Sequence, residues 1–218
     1  MNKETSMRTM ILTLISTMGL LGPTMALAQG TLYVSNIAQT PTGSAPVGSD
    51  SWIAQRIITG TDPGGYSLDS VELLMDPATG SPSGFNISIY SSLGGEPYNN
   101  LGNLVGSDPS AGGVFSYSSS GVDLSPSTFY FVVVTAAKPV AQGAYDWSAA
   151  QSYTPGTFTI DDGYFSSNDG SSWSLHARQD VFQLAIYATA APEPGIIGLF
   201  AVGGLLVAFL RRKARTGK

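Results

Sequence analysis

The sequence predicts an all-β fold, a jelly-roll-like antiparallel β-sandwich flanked by two apolar targeting segments. Three observations predict it. Between residues 29 and 190, short β-branched and aromatic runs recur between clusters of Gly, Pro, Asn, Asp and Ser. Several of these runs alternate apolar and polar residues with the period of two that a half-buried strand requires. No stretch in that region carries the 3.6-residue apolar spacing of a long amphipathic helix, and this combination is the mark of a sandwich.

Residues 31–37 read as a first strand. Residues 39–51 read as a loop, punctuated by Pro41, Gly43, Pro46 and Gly48. Residues 52–59, Trp-Ile-Ala-Gln-Arg-Ile-Ile-Thr, form a strong strand that ends at an Asp62-Pro63-Gly64-Gly65 turn; Pro and Gly supply the dihedrals such a turn needs. Residues 66–75 alternate. Asp69, Val71, Leu73 and Met75 make the better core face, and Leu68, Ser70, Glu72 and Leu74 the other. Residues 76–84 read as a Pro/Gly turn region. In 85–90, Phe85, Ile87 and Ile89 point inward. Residues 91–110, holding Gly94-Gly95-Glu96-Pro97, read as the longest loop. A short strand over 114–118 follows. After Gly121-Val122-Asp123-Leu124-Ser125-Pro126, the unbroken apolar run 129–135 predicts a central strand, buried on both faces. Segments 144–148 and 157–160, the pair Tyr164-Phe165, and segments 172–177 and 181–187 complete the domain. Asn168-Asp169-Gly170 predicts a tight hairpin turn between Phe165 and Trp173.

The two ends are of another kind. Lys3 and Arg8 precede an apolar run over 10–21, Pro23 breaks it, and Ala26-Leu27-Ala28 is an A-x-A cleavage site. Residues 1–28 therefore read as a signal peptide, which implies a secretion translocon and a signal peptidase as partners. At the other end, 191–218 hold Pro192-Glu193-Pro194, a run over 195–210 without a charged or strongly polar side chain, and the basic cluster Arg211, Arg212, Lys213 and Arg215. As a helix at ~1.5 Å per residue that run reaches roughly 24 Å, against about 30 Å of hydrocarbon. Snorkelling arginines and local thinning of the bilayer cover the difference. The basic cluster is expected to stay cytoplasmic and the rest of the chain to lie outside.

What remains, 29–190, is one domain's worth of chain. From 29 to 191 there are 13 acidic and 3 basic side chains, leaving a net charge of −10. That balance argues against nucleic acid as a partner, because phosphates need cations to pair with. No cysteine is present, which excludes disulfides, thiolate nucleophiles and cysteine-bound metal.

The order of the tail, Pro192-Glu193-Pro194, then apolar, then Arg211-Arg212, resembles the PEP-CTERM sorting signal of exopolysaccharide-producing Gram-negative bacteria. The resemblance implies recognition and removal of the tail by a membrane protease, exosortase. A plain anchor helix that stays in place is the alternative. The exported part resembles the choice-of-anchor domains, R type. The residues that carry this are Ile53-Ala54-Gln55-Arg56-Ile57-Ile58-Thr59-Gly60, Leu68-Asp69-Ser70-Val71-Glu72-Leu73-Leu74, Ile87-Ser88-Ile89-Tyr90-Ser91-Ser92, the stretch from Val122-Asp123-Leu124 to Phe129-Tyr130-Phe131-Val132-Val133, and Ser167-Asn168-Asp169-Gly170-Ser171-Ser172-Trp173. This implies a β-sandwich with no assigned reaction.

Catalytic patterns are sparse. His176 is the sole histidine, and no nucleophile elbow, zinc-protease helix or phosphate loop is present. Glu72 and Glu96 are the only glutamates of the exported part, and nothing in the sequence sets two carboxyl groups across a cleft as a glycosidase needs. Asp161-Asp162-Gly163 and Asn168-Asp169-Gly170 offer hard oxygen donors suited to Ca²⁺ at Asp161, Asp162 and Asp169. Acids before glycine also suit tight turns that hold no metal. The segment 167–173 looks like a shortened Asp-box, a structural hairpin with Trp173 as its anchor. Trp52, Tyr98, Tyr145, Trp147, Tyr153 and Tyr164 would form a sugar platform if exposed together; Trp52 and Trp147 equally suit a core.

Taken together, the expectation is a non-enzymatic exported protein of the cell surface or extracellular matrix. Its catalytic residues are none and its cofactors none, with Ca²⁺ the one candidate. Its partners are exosortase, the membrane and exopolysaccharide. A carbohydrate-binding module, Ca²⁺-assisted or not, is the alternative, and a hydrolase comes third.

Overall fold

A computed structural model of the chain describes residues 30–151, 156–176 and 180–192, with no side chain given for Asp162. The segment read as a signal peptide, the apolar run and the basic cluster lie outside the described residues. Among those described, no helix is long and apolar enough to cross a membrane.

The fold is all-β, built as two antiparallel sheets packed face to face. In chain order the strands are β1 (Thr31–Ser35), β2 (Gly43–Val47), β3 (Trp52–Ile58), β4 (Tyr66–Gly80), β5 (Asn86–Leu93), β6 (Glu96–Leu104) and β7 (Gly113–Leu124). There follow β8 (Phe129–Thr135), a single 3₁₀ turn (Val140–Gln142), β9 (Gly143–Ala150), β10 (Thr159–Ser167), β11 (Ser174–His176), β12 (Val181–Phe182) and β13 (Leu184–Ala190). One sheet runs β1-β13-β4-β9-β12, with β2 added on β9 and β7 on β4; the other runs β11-β10-β3-β8-β5-β6.

The core lies between the two sheets. Val71, Leu73 and Met75 of β4, Leu184 and Ile186 of β13, and Trp147 of β9 face Ile53 and Ile57 of β3, Ile87 and Ile89 of β5, and Val132 and Val134 of β8. Burying a side chain of this kind is worth about 1.5–3 kcal/mol, so a chain without disulfides is held by this layer and its ladders. As expected, 129–135 is a central strand, flanked by β3 and β5. Phe85 packs against the core and Ile87 and Ile89 are buried in it. The Asn168-Asp169-Gly170 turn joins β10 to β11, pairing Phe165 with Leu175.

Elsewhere the structure corrects the expectation. The core face of β4 is not a single parity: Leu68 is buried while Asp69 is not. Against β13 Asp69 is an extra residue, since the adjacent Ala188 and Tyr187 pair with Leu68 and Ser70; against β7 it faces three residues, 119–121, that bulge on the other strand. Such a bulge reverses the alternation on one side of itself. β4 also runs on through the segment read as a turn. Asp76 pairs with Asp146 and Thr79 with Ala144, so Pro77-Ala78 oppose one residue. A bulge is where a strand tolerates proline.

The segment read as the longest loop is a hairpin of β5 and β6. Gly94 (φ 65°) and Gly95 (φ 90°) supply the two left-handed residues of its turn. The segment 39–51, read as loop, contains β2, which pairs with β9 along Gly43 to Val47. β7 extends through Gly121 to Leu124, and the segments read as 157–160 and Tyr164-Phe165 meet in one strand, β10 (Thr159–Ser167), interrupted by a bulge.

Candidate functional site

The β10 bulge organises the most distinctive surface of the domain. Ile160 pairs with Ile57 and Tyr164 with Gln55, so Asp161, Asp162 and Gly163 together oppose Arg56 alone. Three residues against one leave backbone carbonyls without ladder partners. Gln55, fully buried, supplies them: its Nε2 donates to the carbonyls of Asp161 (3.0 Å) and Gly163 (3.0 Å). Its Oε1 accepts from the N–H of Phe182 at 2.9 Å, on the opposite sheet. One amide thus closes the bulge and stitches the sheets together.

Arg56 points the other way, onto the outer face of the six-stranded sheet. It forms an ion pair with Asp161, and its guanidinium lies 4.9 Å from the centre of the Phe129 ring and 5.8 Å from that of Phe165. Around it Ala54, Phe131, Val133 and Phe165 form a second apolar cluster, separate from the core, with Trp52, Tyr90 and Trp173 packed against it. Trp52 and Trp173 meet edge to face at 6.5 Å. The Trp52 indole N–H donates to the carbonyl of Ser49 at 3.1 Å. Phe129, 41% exposed, stands at the margin. The result is a sheet face of half-buried rings around one neutralised ion pair, an arrangement suited to stacking on amphipathic, uncharged partners.

The residues expected to act together are distributed otherwise. Of the aromatic set, Tyr145 and Trp147 are buried. Trp147 is stacked on Phe182 at 4.6 Å and donates its indole N–H to the carbonyl of Gln183. The Tyr145 hydroxyl donates to Asp108 at 2.7 Å; burial foremost, then Asp108, holds this phenol's pKa well above its ordinary value. Tyr98 is exposed on β6, Trp52 and Tyr164 are half-buried on β3 and β10, and Tyr153 lies outside the described residues. The expected platform is therefore not formed, and a different set of rings is gathered instead.

Comparison with known protein families, with curated proteins and with solved structures finds no match to this chain.

Of the acids considered for Ca²⁺, Asp161 is held by Arg56 and Asp162 sits in the bulge, its side chain not described. Asp169 caps its own turn: its Oδ1 accepts from the Ser171 N–H (2.9 Å) and hydroxyl (2.6 Å). Those bonds pull its carboxyl below the usual range. Among the described residues no three His, Cys, Asp or Glu side chains converge as a metal site would require. Glu72, facing the Tyr187 hydroxyl at 3.3 Å, belongs to one sheet, and Glu96, exposed at the start of β6, belongs to the other.

One carboxylate pair is brought together that the sequence did not flag. Asp76 and Asp146 are direct cross-strand partners. Burial, then the neighbouring Asp76, pushes the Asp146 carboxyl upward, opposed by a hydrogen bond from Thr79. His176 lies against Tyr164, and its Nε2 is 2.8 Å from Ser166 Oγ. Of the residues expected to act in sorting, Pro192 is described and exposed. The Ala191 N–H donates to the carbonyl of Gly65 at 2.9 Å, so the tail leaves the domain from the Asp62–Gly65 turn. Glu193, Pro194, Arg211, Arg212, Lys213, Arg215, Ala26 and Ala28 lie outside the described residues.

Proposed function

We propose that the chain is an exported, non-enzymatic protein of the cell surface or extracellular matrix, delivered by its signal peptide and sorted through its C-terminal tail by an exosortase. The observation that carries this reading is the order of the tail: Pro192-Glu193-Pro194, then an uncharged apolar run, then Arg211, Arg212, Lys213 and Arg215. A rigid motif ahead of a short membrane helix gives a protease a fixed distance to the bilayer, and the basic end fixes orientation. In this reading the domain is a jelly-roll-like payload, flanked by a signal helix and a transmembrane helix. Its acid excess favours solubility in a polysaccharide matrix. Replacing Pro192, Glu193 and Pro194 together by alanine is expected to leave uncut protein in the inner membrane, read by fractionation and intact mass. Unchanged release and an unchanged mature mass would overturn it and leave a plain anchor.

A second reading, a carbohydrate-binding module, is favoured by one observation: the ring-lined outer face around Arg56. It requires that polysaccharide retention fall when Tyr90 and Trp173 are changed to alanine while unfolding by urea is little altered.

A further inference from the structure

Away from that face, an opening lies where β2, β9 and the stretch leading into β12 of one sheet meet β10 of the other. The opening is a cleft of about 120 Å³, lined by Gly43, Ser44, Tyr164, Asp180 and Phe182 among others. Its apolar lining is Tyr164, Phe182, Ala45 and Ala149. Tyr164 meets Phe182 edge to face at 4.8 Å, and His176 lies parallel to Tyr164 at 4.6 Å. Phe182 in turn stacks on Trp147, so the rings run in series from the cleft into the core. A Cβ placed on Gly43 would meet no atom within 4 Å, so the β2 side of the opening is free of crowding.

The cleft also holds a carboxylate. Asp180 accepts a hydrogen bond from the Thr42 hydroxyl at 2.6 Å through one oxygen. Both cations among the described residues are engaged elsewhere: Arg56 with Asp161, and Lys138 with the carbonyl of Ser81. The charge of Asp180 is felt across the opening, where burial first and Asp180 second raise the pKa of the Tyr164 phenol. A single negative charge beside Tyr164, Phe182 and the methyl groups of Ala45 and Ala149, with room for a few heavy atoms, suits one ligand chemistry. A cation with methyl or methylene groups pairs with the carboxylate and packs its carbon against these apolar side chains.

We propose that this cleft binds an alkylammonium group, with Asp180 as counter-ion and Tyr164 and Phe182 as its apolar walls. The group comes either from a free quaternary or primary amine or from a lysine side chain presented by another protein. This site does not depend on the sorting reading.

The test uses the purified full chain and the ring protons of His176, the only histidine among 218 residues, as a reporter stacked on the cleft wall. Choline and n-butylammonium are titrated at constant ionic strength, beside 3,3-dimethylbutan-1-ol, the uncharged isostere of choline. A lysine-containing peptide, with its N-acetyl-lysine counterpart, forms a separate arm. The expected result is saturable shifts, half-complete at about 1–10 mM, for the ammonium ligands only. Asp180→Asn, which keeps the Thr42 bond, is expected to weaken them at least about tenfold, the loss of one pairing of roughly 1.4 kcal/mol. Saturation by choline assigns the site to free amines, and saturation by the lysine peptide alone assigns it to a protein ligand. Equal shifts from the uncharged isostere, shifts linear in concentration, or an unaltered response in Asp180→Asn would each overturn the proposal. So would binding that appears only in Arg178→Ala, since the chain would then fill the cleft with its own guanidinium.

Discussion

Replacing Gln55 by leucine isolates the energetic worth of a single buried amide. Leucine has a similar volume, so little cavity is made and the lost term is polar. Three backbone groups lose their partner: the Phe182 N–H at 2.9 Å, and the carbonyls of Asp161 and Gly163, both at 3.0 Å. A buried group left without a hydrogen bond costs about 1–3 kcal/mol. The Phe182 N–H and the Gly163 carbonyl are buried and carry the larger share; the Asp161 carbonyl, part-buried, counts at the low end. The expected loss is about 3–5 kcal/mol, a large part of the roughly 5–15 kcal/mol that holds a domain folded. Urea unfolding followed by tryptophan fluorescence reads it as a midpoint lowered by about 1–3 M. Glutamate at the same position separates the two roles of the amide. It keeps an acceptor for Phe182 but sets a carboxylate against two carbonyls, so its folded-state pKa lies above the unfolded value of about 4.3. The charge penalty is therefore largest at neutral pH, shrinks as pH falls through the raised pKa, and is gone below the unfolded value. An unfolding free energy for Gln55→Leu within about 0.5 kcal/mol of the parent would refute the claim that this amide joins the sheets.

Two further outcomes follow from local geometry. Gly170 sits at φ 77°, and a Cβ there would lie 2.5 Å from Cζ3 of Trp52; Gly170→Ala is expected to cost about 1–3 kcal/mol and to shift Trp52 emission, with an unchanged spectrum and stability counting against the packing described. Asp146, opposite Asp76, has a raised folded-state pKa. Asp146→Asn should therefore be more stable than the parent at neutral pH, an advantage that fades as pH falls through that pKa and vanishes below the unfolded carboxylate value, as read by thermal unfolding across pH.

The strands that were legible in the sequence are those whose side chains do the stabilising. Val132 and Val134 face the core while Phe131 and Val133 face the second cluster, so β8 could not be anything but apolar throughout. Ile87 and Ile89 announce β5 in the same way. The strands that were missed, β2 and β6, contribute mainly backbone pairing. Pro46, Pro97, Asn99, Asn100 and Gly102 resemble loop residues because an edge strand is half solvated, and proline and polar residues there discourage pairing with other chains. Bulges leave no mark of their own in composition. Asp69 looked like a core-facing position only because strict alternation was carried through it.

The outer cluster was illegible for a different reason. Trp52, Tyr90, Phe131, Phe165 and Trp173 come from β3, β5, β8, β10 and the turn before β11, and only the non-local order of that sheet makes them neighbours. The one clue was the absence of alternation in 129–135, since a strand apolar on both faces demands a cover on both.

Another clue of this kind is more general. Gln55 and Gln183 each interrupt an apolar run, and both are fully buried. Each marks a place where the backbone ladder breaks. At Gln183 the chain passes from pairing with β9 to pairing with β4: its N–H donates to Ser148 and its carbonyl accepts from Leu74. Alongside, the Asn36 side chain stands in for a strand, donating to the Phe182 carbonyl at 3.1 Å and accepting from the Leu184 N–H at 2.7 Å. The Gln183 amide donates to the carbonyls of Asn36, Ile37 and Gln39, where β1 ends. A ladder that splits leaves backbone groups that water cannot reach, and a side-chain amide can satisfy them: Gln55 and Asn36 use both donor and acceptor, Gln183 its donor alone, its Oε1 being unpaired among the described residues. An amide in an inward register of a β-domain is therefore best read as the signature of a broken ladder beside it, before any ligand is invoked.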